Sequence, residues 1–404
     1  MFNQTILSEA VNTARAGFRS KHQAVFVSAD HCYVTEPIVH RFRVPIACHQ
    51  KLVAKVEQAL RPHSSNAMAF GVLPFCKSQQ AEFIISEATQ RYDKSALYDH
   101  VNGAHGSRTR PLPQLHSAHY RQPQRDYEAA VTKAKRLFSQ QQLDKLVLGK
   151  QVDLSFDTAI SPEPVLANLL SQSTSGYHFS FPTQSGAVLM GVSPELLLRK
   201  HGGKILSNPL AGSAKRSQCA ATEAQTKQAL MHSKKDRYEH AVVLAEMAGV
   251  LSPWCQQLTI PSTPSLLSTA TMWHLSTEVQ GQLSDPNTHI LSLANRLHPT
   301  PALCGKPTAE AYPWVRSLEG CSRDFFSGII GWCDKHGNGE WVVVIRSAEI
   351  MAHRARLFAG AGIVAASDPR SEWLETEAKL ATMLNALEAK QAYQRLGKQQ
   401  LVAS

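Results

Sequence analysis

From residue 126 onward, apolar strand-length runs arrive as neighbouring pairs, with long helical segments set between the pairs. "GAVLMGVSPELLLRK" runs to the turn "HGGK" and returns as "ILSNPLAGS", which reads as a hairpin. Near the C-terminus, "GEWVVVIRSAEI" and "RARLFAGAGIV" read as two strands joined by a tight turn near His353. A doubly wound parallel sheet needs a crossover helix between successive strands. The absence of strict alternation therefore predicts α+β layering.

The rest of the chain is punctuated less sharply. In the first hundred residues, "HQAVFVSA" and "AMAFGVLPF" read as strands and "ACHQKLVAKVEQALRP" as a helix stopped by Pro62. Residues 104–125 hold three prolines, four arginines and no acid, and read as an exposed basic loop. "DYEAAVTKAKRLFSQQQ" predicts a helix leading to a short apolar strand at "DKLVLGKQVDL". One amphipathic helix, "SEWLETEAKLATMLNALEAKQAYQRL", is expected to close the fold. The parts expected are an N-terminal α/β part over 1–125, a catalytic region over 126–390 and a tail over 391–404.

Composition excludes several classes. Hydrophobic residues make up 43% and charged residues 18%, as in globular proteins, and no apolar run reaches membrane-spanning length. The N-terminus lacks the apolar core of a secretory signal, so a cytoplasmic protein without membrane association is expected. Eight scattered cysteines form no Cys-x-x-Cys pair, which argues against a zinc ribbon. The net charge of +10 invites nucleic acid, but the basic residues form no dense block. An anionic small substrate explains the excess as well, and no nucleic-acid partner is expected.

Two pairs of acids stand out. In "SKKDRYEHAVV" Asp236 and Glu239 are three residues apart, and in "EWLETEAK" Glu372 and Glu375 repeat the spacing. On a helix such side chains share a face. Two such helices facing one another would offer up to four carboxylates to a hard cation such as Mg²⁺, which takes oxygen ligands and keeps waters. The spacing alone fits helix starts equally well: Ser233-x-x-Asp236 resembles a capping box, and acids favour the first helical turn.

The small-residue runs "PLAGS" and "FAGAGIV" place backbone N–H groups where an anion could meet them, or mark tight sheet packing. Neither matches a nucleotide-binding fingerprint. "VVVIR" ends an apolar strand in Arg346, whose guanidinium could hold a carboxylate or form a structural ion pair.

These pieces, taken in order, resemble the catalytic region of the chorismate-binding enzymes, which include isochorismate, salicylate, anthranilate and aminodeoxychorismate synthases. The resemblance runs from about residue 141 to 388 through "DKLVLGK", "GVSPELLLRK", "NPLAGSAKR", "KKDRYEHAVV", "MWHLSTEVQG", "LHPTPALCG", "DFFSGIIGW", "GEWVVVIRSAEI", "RLFAGAGIV" and "EWLETEAKLATML". It implies a single large domain of mostly antiparallel sheets with helices packed outside. Within the family, the siderophore-type isochorismate synthases match best. That implies water addition at C2 of chorismate and loss of the C4 hydroxyl, with Mg²⁺ as cofactor.

The resemblance also implies roles. Lys145 matches the general base and must reach its unprotonated form, which calls for burial or a nearby cation. Glu195 matches the general acid and must hold a proton near neutral pH. Glu239 and Glu375 match the metal ligands, with Asp236 and Glu372 beside them. Arg346, Lys379, Gly212, Ser213 and the backbone at Gly360, Ala361 and Gly362 are expected to hold the substrate's carboxylates, with His274 beside the ring.

Other positions separate the sister activities. Ala211 replaces the nucleophilic lysine of the aminodeoxychorismate enzymes, and anthranilate synthases lack a lysine at the place of Lys145. Ala302 and Leu303 look like isochorismate synthase, with salicylate synthase as the alternative. Gly149, Lys150 and Phe326 depart from the residues common among relatives. A functional link to a downstream isochorismatase and a monomer or weak dimer are expected.

Overall fold

The computed structural model describes residues 23–35, 38–95, 112–217 and 219–402. Two large sheets of ten and nine strands lie at its centre, with a third sheet of three strands. The strands pair antiparallel throughout. The α+β expectation is met.

Period-two alternation explains the layering. Along Gly339–Val343 and just beyond, Val342 and Val344 join Phe70, Phe179 and Leu189 in a core shared by the two large sheets. Trp341 and Val343 point the other way, into a core roofed by the helices His49–Leu60, Lys234–Leu251 and Ile290–Leu297. On the ten-stranded sheet Val188 and Met190 face outward, against Pro162–Gln172 and Pro369–Ala386. Helices thus cover both outer faces. No helix among the described residues is long and apolar enough to cross a membrane.

The tertiary structure corrects four sequence expectations. "GAVLMGVSPELLLRK" is not one arm of a hairpin: Val188–Ser193 belongs to the ten-stranded sheet and Leu196–His201 to the nine-stranded one. Pro194, which has no N–H for a ladder, sits where the chain changes sheets. "GEWVVVIRSAEI" divides likewise into Gly339–Val343 and Ser347–Met351, with Arg346 at φ +50° at the change.

The basic loop lies partly outside the described residues, at 104–111. Beyond it, Leu115–Tyr120 is a strand pairing with the long strand Lys145–Phe156, and Gln124 opens a helix. Of that strand only Ala118 is buried, so backbone pairing holds it where apolar burial gives no signal. The closing helix is two, Pro369–Ala386 and Lys390–Val402. Between them Glu388 takes φ +54°, while Leu387 and Ala389 fill the core.

Candidate active site

Both sheet changes open onto one cleft, whose empty space, mouth included, is about 700 Å³. Glu195, just after Pro194, faces it from one crossing and Arg346 from the other. The long strand Arg354–Ile363 adds Gly360 and Gly362 from one face, while Ala361 turns its methyl into the core behind. Leu303 and Phe326 close the side.

Glu195 is 4% exposed. Burial pushes its carboxyl up to about 7, against the Leu210 N–H and the charges of Lys145 and Lys379. A carboxylic acid that keeps its proton near neutrality results. Lys145 is fully buried, with Nζ 2.8 Å from Glu239 Oε1. The contact is an ion pair by distance, but its angles are not those of a hydrogen bond. Burial is as the sequence predicts; the nearest charged partner is an anion, not the cation.

An ion pair joins the two acid-bearing helices, and the capping alternative left open by the spacing is realised. Ser233 caps Lys234–Leu251, accepting from the Asp236 N–H at 3.2 Å and donating to the Asp236 carboxylate. Lys235 on that helix reaches Glu372 on Pro369–Ala386 at 2.8 Å. Gly212, at φ +79°, lets the neighbouring strand approach Asp236: a Cβ there would lie 2.8 Å from the Asp236 Cβ. Gly212 also sits at a register shift in the pairing with Met272–Ser276, so "PLAGS" is a bulge as well as a cleft wall.

Lysines hold these carboxylates. Glu375 Oε1 accepts from Ser213 Oγ at 3.1 Å and lies 2.6 Å from Lys379 Nζ. Burial would raise the Glu375 carboxyl, but Lys379, Lys235 and Ser213 hold it below the usual range. Burial and then the charge of Glu375 raise Glu372, against Lys235. Asp236 is raised by burial, against its bond with Ser233, and further by Glu239 and Glu375. Among the described residues no three His, Cys, Asp or Glu side chains converge into a ready cation cage. The donor set nevertheless suits Mg²⁺: all its atoms are oxygens, and two of its members are raised by burial first and by neighbouring carboxylates after it.

At the other end, Arg346 Nη2 donates to His274 Nε2 at 3.1 Å, so the ring is neutral there. Burial, Arg346 and Lys379 all push His274 well below its ordinary value. Burial lowers Arg346 to about 10, against Glu375. Arg346 is 5% exposed, Nη1 has no hydrogen-bond partner, and no ion pair engages the side chain among the described residues. Lys379 Nζ donates to the Gly360 carbonyl at 2.8 Å. An unsatisfied, buried guanidinium donor at a cleft wall is what an anionic ligand would complete.

Thirteen of the seventeen candidate residues line this cleft; Lys145, Ala361, Asp236 and Glu372 are not among its lining residues. Val147 and Ser327 also line it, although no local pattern marks either one. Their place follows from alternation along the Lys145 strand and from the positive φ of Ser327, +58°.

Fold and site together define a class. A family model described as chorismate binding enzyme matches residues 59–388, and the chain belongs to that family. It is 38% identical over 382 residues to the isochorismate synthase EntC of Escherichia coli (strain K12), covering 95% of this chain and 96% of that one. It is also 38% identical to a vibriobactin-specific isochorismate synthase of Vibrio cholerae, over 89% of this chain and 90% of that protein. A crystal structure of a putative 2,3-dihydroxybenzoate-specific isochorismate synthase, DhbC, from Bacillus anthracis superposes with a TM-score of 0.84 at 34% identity, covering 94% of this chain and 99% of that one.

Proposed function

We propose that the protein is a Mg²⁺-dependent isochorismate synthase. Water adds at C2 of chorismate, the C4 hydroxyl leaves as water, and the ring double bonds shift to give isochorismate. The observation that carries this reading is Glu195: a buried carboxyl raised to about 7, in a cleft with cationic groups at its far side.

In this reading Glu195 protonates the leaving hydroxyl, and Lys145 takes the proton of the attacking water. Arg346 uses its unpartnered Nη1 on a substrate carboxylate, while neutral His274 packs beside the ring. Ser213, Lys379 and the backbone of Gly212, Gly360 and Gly362 steady the carboxylate end. Glu239 and Glu375 would hold Mg²⁺, with Asp236 and Glu372 in support. Held there, the ion would supply positive charge to offset the ring carboxylate. The names of the relatives support a place ahead of a catechol-forming step, with an isochorismatase downstream.

Incubation of the purified protein with chorismate and Mg²⁺, with products separated by chromatography, tests the proposal. Isochorismate as the main product is expected. Salicylate and pyruvate in its place would indicate a salicylate synthase, and unchanged chorismate would remove the activity.

A further inference from the structure

Arg323 and Glu319 stand outside the proposed chemistry, yet both are buried, at 4% and 6% exposure. The helix Thr308–Glu319 ends on Gly320 in the left-handed conformation, φ +65°, which turns the chain so that Arg323 folds back beneath it. Arg323 Nε donates to both Glu319 oxygens at 2.9 and 3.1 Å. Its Nη1 donates to the Leu303 carbonyl at 2.7 Å, and Nη2 to the Val147 carbonyl at 2.9 Å. Glu319 Oε1 accepts the Gly149 N–H at 2.6 Å. The guanidinium carbon lies 4.4 Å from the centre of the Phe75 ring and 5.6 Å from that of Phe326.

We propose that Glu319 and Arg323 form the positioning pair of the cleft wall, fixing the Lys145 strand, the Leu303 loop and the Phe326 ring relative to one another. The inference rests on the isochorismate synthase reading, because turnover of chorismate is what reports it. Val147, Leu303 and Phe326 all line the cleft, and each is touched by the one guanidinium. Gly149 interlocks with them: a Cβ there would lie 2.8 Å from the Phe326 ring and 3.2 Å from Glu319 Oε1.

A buried ion pair adds little net stability over apolar residues of similar volume. What the planar fork supplies is direction, since five N–H groups are fixed in one plane. Here two of the directions it fixes are backbone carbonyls on separate cleft walls. The pair touches none of the groups proposed to hold the substrate's charges. Its loss is therefore expected in alignment of the ring, read in kcat, and not in binding, read in KM.

The test compares Arg323→Lys with Arg199→Lys. Arg199 donates to the buried Glu340 at 2.8 Å away from the cleft, so its variant reports the generic cost of losing a guanidinium fork. Both variants are expected to melt earlier. Arg323→Lys is expected to lose about ten- to a hundredfold in kcat with KM within about threefold, while Arg199→Lys keeps kcat within about twofold. Glu319→Gln provides a second variant with the same expected split.

Folded Arg323→Lys and Glu319→Gln with wild-type kcat would overturn the inference. So would an equal loss in Arg199→Lys, or failure of both cleft variants to fold, since each marks the pair as a stability element. Wild-type protein that leaves chorismate unchanged overturns the functional reading, and this inference with it.

Discussion

Lys145 Nζ lies 2.8 Å from Glu239 Oε1, so the side chain proposed to take a proton touches one proposed to hold the cation. Neither can be altered without exposing the other. Lys145→Ala is expected to lower turnover by about a thousandfold or more while the protein stays folded, at a cost of about 1–3 kcal/mol from the carboxylate left without its partner. Chorismate consumption and thermal melting check the two effects separately. Wild-type rates would remove Lys145 from the mechanism.

Glu195 predicts a pH limb. The acid form is the active one, so kcat/KM is expected to fall as pH rises through about 7. The stability consequence has the same sign. The folded carboxyl binds its proton more tightly than the unfolded one, whose ordinary value is 4.5. This group's contribution is thus fully present below 4.5 and is lost as pH rises to about 7, by on the order of 3 kcal/mol. Glu195→Gln should abolish turnover yet melt higher than wild type at pH 8, relative to the same comparison at pH 4. A variant with an unchanged melting difference between the two pH values would contradict the assignment.

Glu375 sits between Ser213 and Lys379 and is assigned to the cation. Glu375→Gln keeps the side-chain volume and removes the charge. The Mg²⁺ concentration for half-maximal activity should rise about ten- to a hundredfold. A titration that overlays wild type would take Glu375 out of the ligand set.

Gly362 tests the packing of the site without removing a charge. A Cβ there would fall 2.2 Å from Glu239 Oε1 and 3.2 Å from Lys145 Cε. The carboxylate is the far end of the Glu239 side chain and can move aside, so Gly362→Ala should fold, with a stability loss of about 1–3 kcal/mol. Moving Glu239 displaces a proposed cation ligand, and turnover should fall at least about tenfold, with a weaker response to Mg²⁺. Full activity in this variant would take the placement of Glu239 out of the mechanism.

The two acid pairs were legible in the sequence because their spacing is local, whereas the other candidate site residues rested on the resemblance to the chorismate-binding enzymes. Asp236 and Glu239 share a helix face for the same reason as Glu372 and Glu375, and Ser233 caps the first helix as its position suggests. Hydrophobic period placed some of the strands and helices, among them Met68–Leu73, His49–Leu60 and Arg354–Ile363. Where it misled, tertiary packing was the cause. Pro194 and Arg346 interrupt apolar runs that read as continuous strands, and the break at Leu387–Ala389 interrupts a helical pattern that is continuous by composition.

By itself the sequence determined that each acid pair would share a helix face, while the lysines and glycines expected around them were implied by the resemblance. Covalent geometry sets that much, since neighbours in sequence share a helix turn or a strand face. Only the tertiary structure decided who meets whom. It set Lys145 against an anion, left Arg346 Nη1 without a partner, and brought Arg323 beneath Leu303 and Val147. Those contacts join segments far apart in the chain, and they exist only because two large sheets pack face to face and exchange strands at the cleft.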